Sequence, residues 1–181
     1  MSAADNSDNK FKILLIDGTE SIARSLRTTV AASKSISIEV IWSADLPQAL
    51  NLLKDVKIDM VLLDLTISNC RGIDAYRKLE QKSEHLPIVI VARAGDDYSA
   101  LEAVEAGAQG VVTPVQIEHP SLILVLIAVI RRKKKENQIR EVMKTYDLAI
   151  RGSRYGLWDW KINPEHPADP ESRLWYCDRF V

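Results

Sequence analysis

Four short runs of almost purely apolar residues constrain the fold of this chain more than any other feature. They comprise residues 13–16, 60–63, 88–92 and 111–112. Strands covered by helices on both faces have such continuous apolar sequences, whereas half-exposed strands alternate apolar and polar residues. The runs therefore predict buried strands of a parallel sheet. A fifth run, ISIEVIW at 36–42, alternates in part and predicts an edge strand.

Amphipathic segments separate these predicted strands. Their apolar residues recur three or four positions apart, which is the spacing of one helix face. Asp45 is suited to cap the second helix and Gly107 to end the fourth, and a fifth helix begins near Pro120. The faces of the first four helices are marked by Ile22, Leu26 and Val30; by Leu46, Ala49, Leu50 and Leu53; by Ile73, Tyr76 and Leu79; and by Tyr98, Leu101 and Val104.

The order of these elements, strand then helix five times over, implies a parallel sheet with right-handed crossovers. The expected fold class is α/β: a doubly wound, five-stranded parallel sheet of flavodoxin-like order 2-1-3-4-5, followed by an extended C-terminal helix. This order places the partly alternating second strand at one edge of the sheet. The short fifth strand takes the other edge.

Two carboxylates lie where this topology predicts a binding crevice. Asp17 follows the first strand in KILLIDGTE, and Asp64 ends the third in VLLDL. Their strands are expected to be neighbours about 4.8 Å apart, at the point where the strand order reverses and ligands bind. Two close negative charges favour a cation such as Mg²⁺, and an aspartate there can also attack a phosphoryl group. The alternative is that both are strand-end caps or loop carboxylates in water.

Four pieces of the sequence together resemble the receiver domain of two-component response regulators. They are LLIDGTE, VLLDLTISNCRG, PIVIVARAGDD and AGAQGVV, and the resemblance covers residues 12–133. It implies that Asp64 accepts a phosphoryl group from a histidine kinase. It also implies that Mg²⁺ is the cofactor, with Asp17 and Asp64 as its ligands.

The sequence departs from this family's pattern at three recognition points. Gly18 stands where receivers have a second Mg²⁺ carboxylate, and Ala92 stands where a Ser or Thr hydroxyl binds a phosphoryl oxygen. Thr113 or Pro114 replaces the lysine that pairs with the acyl phosphate. Each hydrogen bond to a charged group contributes about 1.5–3 kcal/mol. The loss of the lysine and the hydroxyl therefore destabilises the phosphorylated state by about 3–6 kcal/mol. The resemblance thus implies a degenerate receiver with a weakened Mg²⁺ site.

The C-terminal third of the sequence predicts one helix followed by the start of another domain. No Gly or Pro interrupts residues 121–151, and a broken 3-4 apolar spacing is compatible with a parallel coiled coil. The segment GLWDWKI and the candidate strand RLWYCDRF resemble the opening of a PAS sensor domain. The expected organisation is a disordered tail at 1–10, a receiver-like domain at 11–133, a helical linker at 134–152 and an N-terminal fragment of a PAS domain at 153–181.

Composition narrows the classes of partner. The net charge of −1 makes no case for nucleic acid, and we interpret the basic run RRKKK as a solvated helix face. The longest apolar run, nine residues, is too short to span a membrane. Two cysteines without metal-type spacing are typical of a reduced protein, so a cytoplasmic location is expected.

Three classes of function remain open. The first is a non-enzymatic signal transduction module, an atypical receiver that a histidine kinase or phosphotransfer protein phosphorylates at Asp64. The second is a phosphorylation-independent interaction module, a homodimer through the C-terminal helix that relays signals to a PAS domain. The third is a small flavodoxin-type cofactor binder or enzyme. It is disfavoured because Asp17 and Glu20 would repel a phosphate group unless a metal ion were present.

Overall fold

The computed structural model describes residues 10–33, 36–67, 70, 72–152, 158–161 and 173–176 of the 181-residue chain. The chain divides into two compact units, Met1–Lys135 and Glu136–Val181. The first unit contains a five-stranded sheet and the helices that cover it. The second contains the later part of a long helix and a two-stranded sheet.

The larger sheet confirms the predicted fold class. Its neighbouring strands are all parallel and lie in the order β2-β1-β3-β4-β5. The strands are β1 Lys10–Ile16, β2 Ser37–Ser43, β3 Met60–Asp64, β4 Ile88–Val91 and β5 Val111–Val112. The helices are α1 Ser21–Ala31, α2 Leu46–Asp55, α3 Ile73–Ser83, α4 Asp97–Glu105, α5 Pro114–Ile117 and α6 Leu122–Gly152.

Two apolar layers explain why the central strands have continuous apolar sequences. Successive side chains of a strand point to opposite faces of the sheet. In β3, Val61 and Leu63 belong to the layer covered by α2, α3 and α4, while Met60 and Leu62 belong to the layer covered by α1, α5 and α6. Every residue of β3 is buried, whereas most of edge strand β2 is only partly buried. The sheet is therefore closed to solvent on both faces at its centre.

The helix ends follow the sequence signals. The Asp45 side chain accepts a hydrogen bond of 2.9 Å from the backbone N–H of Gln48, which confirms Asp45 as the cap of α2. Gly107 follows the last turn of α4, as predicted, with a positive φ of 117°.

The helix α4 was predicted correctly, but the residues whose spacing indicated it lie on its exposed side. Tyr98 is 80% exposed and Leu101 58%, whereas Ala100 and Ala103 are buried against the sheet. A three-residue spacing marks a helix face whether that face is buried or not. Small alanine side chains let the α4 backbone lie close to the sheet and leave the larger apolar residues outside.

The connection after β5 is more complex than expected. The short helix α5 precedes α6, and a capping box between Thr113 and Gln116 starts it. The long helix predicted from about Pro120 to Arg151 begins at Leu122 and ends at Gly152. Its first turns are buried in the layer that also contains α1. Among the described residues, no helix is long and apolar enough to cross a membrane.

The two ends of the chain are described only in part. The tail predicted at 1–10 lies outside the described residues except for Lys10, which begins β1. Within the segment 153–181, the structure describes β6 Trp158–Lys161 and β7 Arg173–Tyr176, which pair antiparallel. Both strands occur where the sequence predicts them, and the remainder of the predicted PAS fragment lies outside the described residues.

Gly107 offers a test of this architecture. Residues with a side chain rarely adopt its φ of +117°, and a Cβ atom there would lie 3.1 Å from the Tyr76 hydroxyl oxygen. We expect Gly107→Ala to lower the free energy of unfolding by more than about 1 kcal/mol, because backbone strain and the contact both oppose the methyl group. Urea unfolding followed by circular dichroism measures the change.

Gly18→Ala is the matched control for this substitution. A Cβ atom at Gly18 meets no atom within 4 Å, and Gly18 is not among the glycines with positive φ. Equal destabilisation of the two variants would contradict the assignment of strain to Gly107.

Candidate functional site

The strand order brings Asp17 and Asp64 to the same edge of the sheet. Ile16 ends β1 opposite Leu63 of the neighbouring strand β3, so the two aspartates come next along their strands. The side chains of Asp17 and Asp64 are 2% and 1% exposed. The sequence therefore predicted correctly that two carboxylates converge at this point, and both are buried.

A threonine two positions downstream holds each carboxylate. The Thr19 backbone N–H donates to Asp17 Oδ1 at 2.9 Å. The Thr66 backbone N–H and hydroxyl donate to Asp64 Oδ1 at 2.7 and 2.6 Å. Such local side-chain turns orient a carboxylate without a partner from elsewhere in the chain. The Oδ2 atom of Asp64 has no hydrogen bond from Thr66.

Arg93 joins the two aspartates, and sequence reasoning missed it. Its Nε donates to Asp64 Oδ2 at 2.8 Å, and its Nη2 lies 3.1 Å from both carboxylate oxygens of Asp17. We call this arrangement the Asp17–Arg93–Asp64 bridge. The sequence carried only part of the signal: Arg93 follows β4, the predicted neighbour of β3, but its position does not give the direction of its side chain.

Burial and charge act on the protonation of this site in opposite directions. Burial is the main cause that raises the pKa of Asp17 above its ordinary value, and the negative charge of Asp64 adds to it. The hydrogen bonds from Thr19 and the charge of Arg93 act to lower it. The hydrogen bond to Asp64 raises the pKa of Arg93, so the guanidinium stays charged.

The other predicted site residues lie around this bridge. Gly18 follows Asp17 directly and has open space where a side chain would begin. Ala92 and Arg93 line a cavity of about 790 Å³ together with Thr113 and Pro114, the two candidates for the missing lysine position. The Thr113 side chain accepts the backbone N–H of Gln116 within the capping box. Among the described residues that line this cavity, Arg93 is the one cationic side chain.

The donor set departs from that of a full magnesium site. Mg²⁺ needs near-octahedral oxygen coordination. Within the described part of the chain, no cluster of three or more His, Cys, Asp or Glu side chains could hold a metal ion. The guanidinium of Arg93 already contacts both carboxylates. In this arrangement the side chains do not fit a divalent ion at the bridge.

The raised pKa of Asp17 makes a prediction about stability and pH. A carboxyl whose pKa is higher in the folded than in the unfolded chain stabilises the fold while protonated, and this contribution is lost as the pH rises through the folded-state pKa. We therefore expect Asp17→Asn, which stays neutral, to unfold at higher urea concentration than the wild type at neutral pH. The difference should narrow as the pH falls toward the ordinary value of 3.8.

Urea unfolding at a series of pH values measures this difference. Asp55→Asn makes the same chemical change at an exposed position at the end of α2 and controls for the loss of one negative charge. A variant Asp17→Asn that is less stable than the wild type at neutral pH would show that the bridge outweighs the cost of burial.

Comparison with known sequences identifies the domain around this site. A family model described as the response regulator receiver domain matches residues 13–119, more than half of the chain. The response regulator ArlR of Staphylococcus haemolyticus (strain JCSC1435) is 27% identical over 149 residues, which are 78% of this chain and 65% of that protein. The alkaline phosphatase synthesis transcriptional regulatory protein PhoP of Bacillus subtilis (strain 168) is 24% identical over 86% of this chain and 61% of its own. The chain thus spans less than two thirds of these relatives.

Solved structures agree with the family model on the fold. Full-length FixJ from B. japonicum superposes with a TM-score of 0.63 and 18% identity over 87% of this chain and 71% of its own. A response regulator receiver domain protein from Clostridium thermocellum gives a TM-score of 0.56 and 21% identity over 71% of this chain and 98% of its own. Because the family model covers most of the sheet and both aspartates, this chain belongs to the response regulator receiver domain family.

Proposed function

We propose that this chain is an atypical receiver of a two-component phosphorelay, in which Asp64 accepts the phosphoryl group at a weakened site. Receiver domains are signalling modules that interact with histidine kinases or phosphotransfer proteins and bind Mg²⁺ for phosphorylation. The observation that carries the proposal is the position of Asp64, which ends β3 beside Asp17 at the carboxyl edge of the sheet. Its partners would be a histidine kinase or a phosphotransfer protein.

The hydrogen bonds of Asp64 indicate which oxygen would react. Thr66 occupies Oδ1 through two hydrogen bonds, whereas Oδ2 has Arg93 as its partner. Oδ2 would therefore form the new bond to phosphorus while the bond from phosphorus to the donor breaks and the donor leaves with its electron pair. The guanidinium would compete with the phosphoryl group for this oxygen. The carboxylate is a competent nucleophile, but both of its oxygens accept hydrogen bonds in the resting arrangement.

Three missing contacts support a weakened site. Gly18 offers no carboxylate, Ala92 offers no hydroxyl, and Thr113 uses its own hydroxyl to cap α5. Each lost hydrogen bond to a charged phosphoryl group is worth about 1.5–3 kcal/mol. Two such losses reduce the phosphorylated, switched population by a factor of about 10²–10⁴.

Mass spectrometry after incubation with acetyl phosphate and Mg²⁺ tests the acceptor. We expect a fraction of the full chain to gain the mass of one phosphoryl group, and Asp64→Asn to abolish the gain because the nucleophile is removed. Asp55→Asn, which changes an exposed aspartate, should retain it. If the wild type gains no phosphoryl group at any Mg²⁺ concentration, Asp64 is not an acceptor and the alternative below is favoured.

The alternative function is a phosphorylation-independent interaction module. Along α6, several apolar side chains beyond the buried first turns are exposed, namely Ile139, Met143 and Tyr146. Their spacing of four and three residues places them on one side of the helix. We propose that this seam forms a homodimer, as a coiled coil that relays signals to a PAS sensor domain beginning within 153–181.

Sedimentation of the full chain tests the seam. We expect Ile139→Asp to weaken self-association, because a charge would be buried in the dimer contact. Leu148→Asp is the matched control: Leu148 is 69% exposed and lies nine residues further, about two and a half turns, on the opposite side of α6. A dimer that both substitutions affect equally, or that neither affects, would exclude this seam as the contact.

A further inference from the structure

The Asp17–Arg93–Asp64 bridge places a permanent positive charge between two buried negative ones. Two different nitrogens of one guanidinium contact two different strands' carboxylates at 2.8 and 3.1 Å. Arginine cannot lose its proton under ordinary conditions, and its planar fork suits several oxygens at once. The contact is therefore a charge-assisted bridge between a partly exposed guanidinium and two buried carboxylates at the carboxyl edge of the sheet.

The backbone around Arg93 holds the start of its side chain in place. The Arg93 backbone N–H donates to Asp96 Oδ2 at 3.0 Å, and the Asp96 backbone N–H donates to the Arg93 carbonyl at 3.1 Å. This reciprocal pair closes a tight turn directly after β4. Because β4 is paired with β3, the turn aims the guanidinium at the neighbouring Asp64.

Arg93 supplies positive charge to this site without a metal ion. A receiver with an acidic pair after its first strand would set three carboxylates against the two positive charges of Mg²⁺ and the one positive charge of its lysine. In this chain Gly18 removes one carboxylate and the lysine is missing, so the charge of Arg93 faces the two remaining aspartates. The guanidinium therefore provides a cation that the two neighbouring carboxylates would otherwise lack.

We propose that Arg93 is the resident cation of this site, in contact with both Asp17 and Asp64, and that a divalent metal ion must displace it in order to bind. The proposal rests on the proposed function in that it concerns the cation of the same site. It makes Arg93 a positioning residue that holds Asp64 Oδ2 and sets the metal response of the domain. A metal ion would bind only those molecules in which Arg93 is displaced. Its apparent affinity is therefore the intrinsic affinity multiplied by the fraction of molecules in that state.

Metal titration without any phosphoryl donor tests the proposal, so that its outcome does not depend on whether Asp64 is phosphorylated. The full chain and its Arg93→Ala variant are melted in chelator and in increasing Mg²⁺. We expect the wild-type melting temperature to stay nearly constant. The variant should melt lower in chelator, because two buried carboxylates lose their cation, and Mg²⁺ should raise its melting temperature with an affinity at least about tenfold tighter than in the wild type.

Two further variants separate charge from packing. Arg27→Ala removes an arginine that is paired with Glu20 on the surface at 2.8 Å, and it should leave the Mg²⁺ response as in the wild type. Arg93→Ala combined with Gly18→Asp adds a carboxylate where a Cβ atom meets nothing within 4 Å, and it should bind Mg²⁺ more tightly still. Equal Mg²⁺ affinity in the wild type and in Arg93→Ala overturns the proposal.

A measurement on the wild type alone keeps the test decisive if the Arg93 variants do not fold. Paramagnetic Mn²⁺ broadens the NMR signals of nuclei close to its binding site. We expect the amide signals of Thr19 and Thr66, which donate to the two aspartates, to stay sharp at Mn²⁺ equimolar with the protein. Selective broadening of these two signals under that condition overturns the proposal.

Discussion

Burial of the central strands on both faces is the constraint on which the rest of this structure depends. The side chains of β3 alternate between two apolar layers, so neither face of the strand is open to solvent. In sheets of this kind ligands bind at the carboxyl edge, and Asp17 and Asp64 lie at that edge. The same burial removes water from the two carboxylates and makes a neighbouring cation necessary.

The sequence was sufficient to predict the structural features that depend on the local pattern of apolar and polar residues. Continuous apolar runs predicted the inner strands because both faces are covered, and partial alternation predicted β2 as an edge. The convergence of Asp17 and Asp64 followed from the strand order alone. The sequence did not predict which side of α4 is buried. A spacing of three residues places Tyr98 and Leu101 on one side of the helix, but it does not show whether that side packs on the sheet.

Arg93 shows why part of the site was beyond the sequence argument. A long side chain can point in many directions from the end of a strand, and the turn closed by Asp96 decides among them. Arg93 also lies outside the positions at which receivers carry their characteristic groups, because it follows one of them, Ala92, rather than occupying it. The helix α5 was missed for a related reason: four residues are too few to show a periodic pattern, and only the cap at Thr113 indicates it.

The two candidate functions depend on one competition at Asp64. Its Oδ1 is held by Thr66, and its Oδ2 is held by Arg93, so an incoming phosphoryl group competes with a hydrogen-bonded cation for a single oxygen. A strong bridge favours a domain that keeps one conformation and acts through its surfaces. A bridge that opens readily favours a slow phospho-acceptor, in which the released guanidinium would lie close enough to the new negative charge to take over part of the missing lysine's role. On both proposals, the strength of this one arginine contact is the property of the site that distinguishes the two candidate functions.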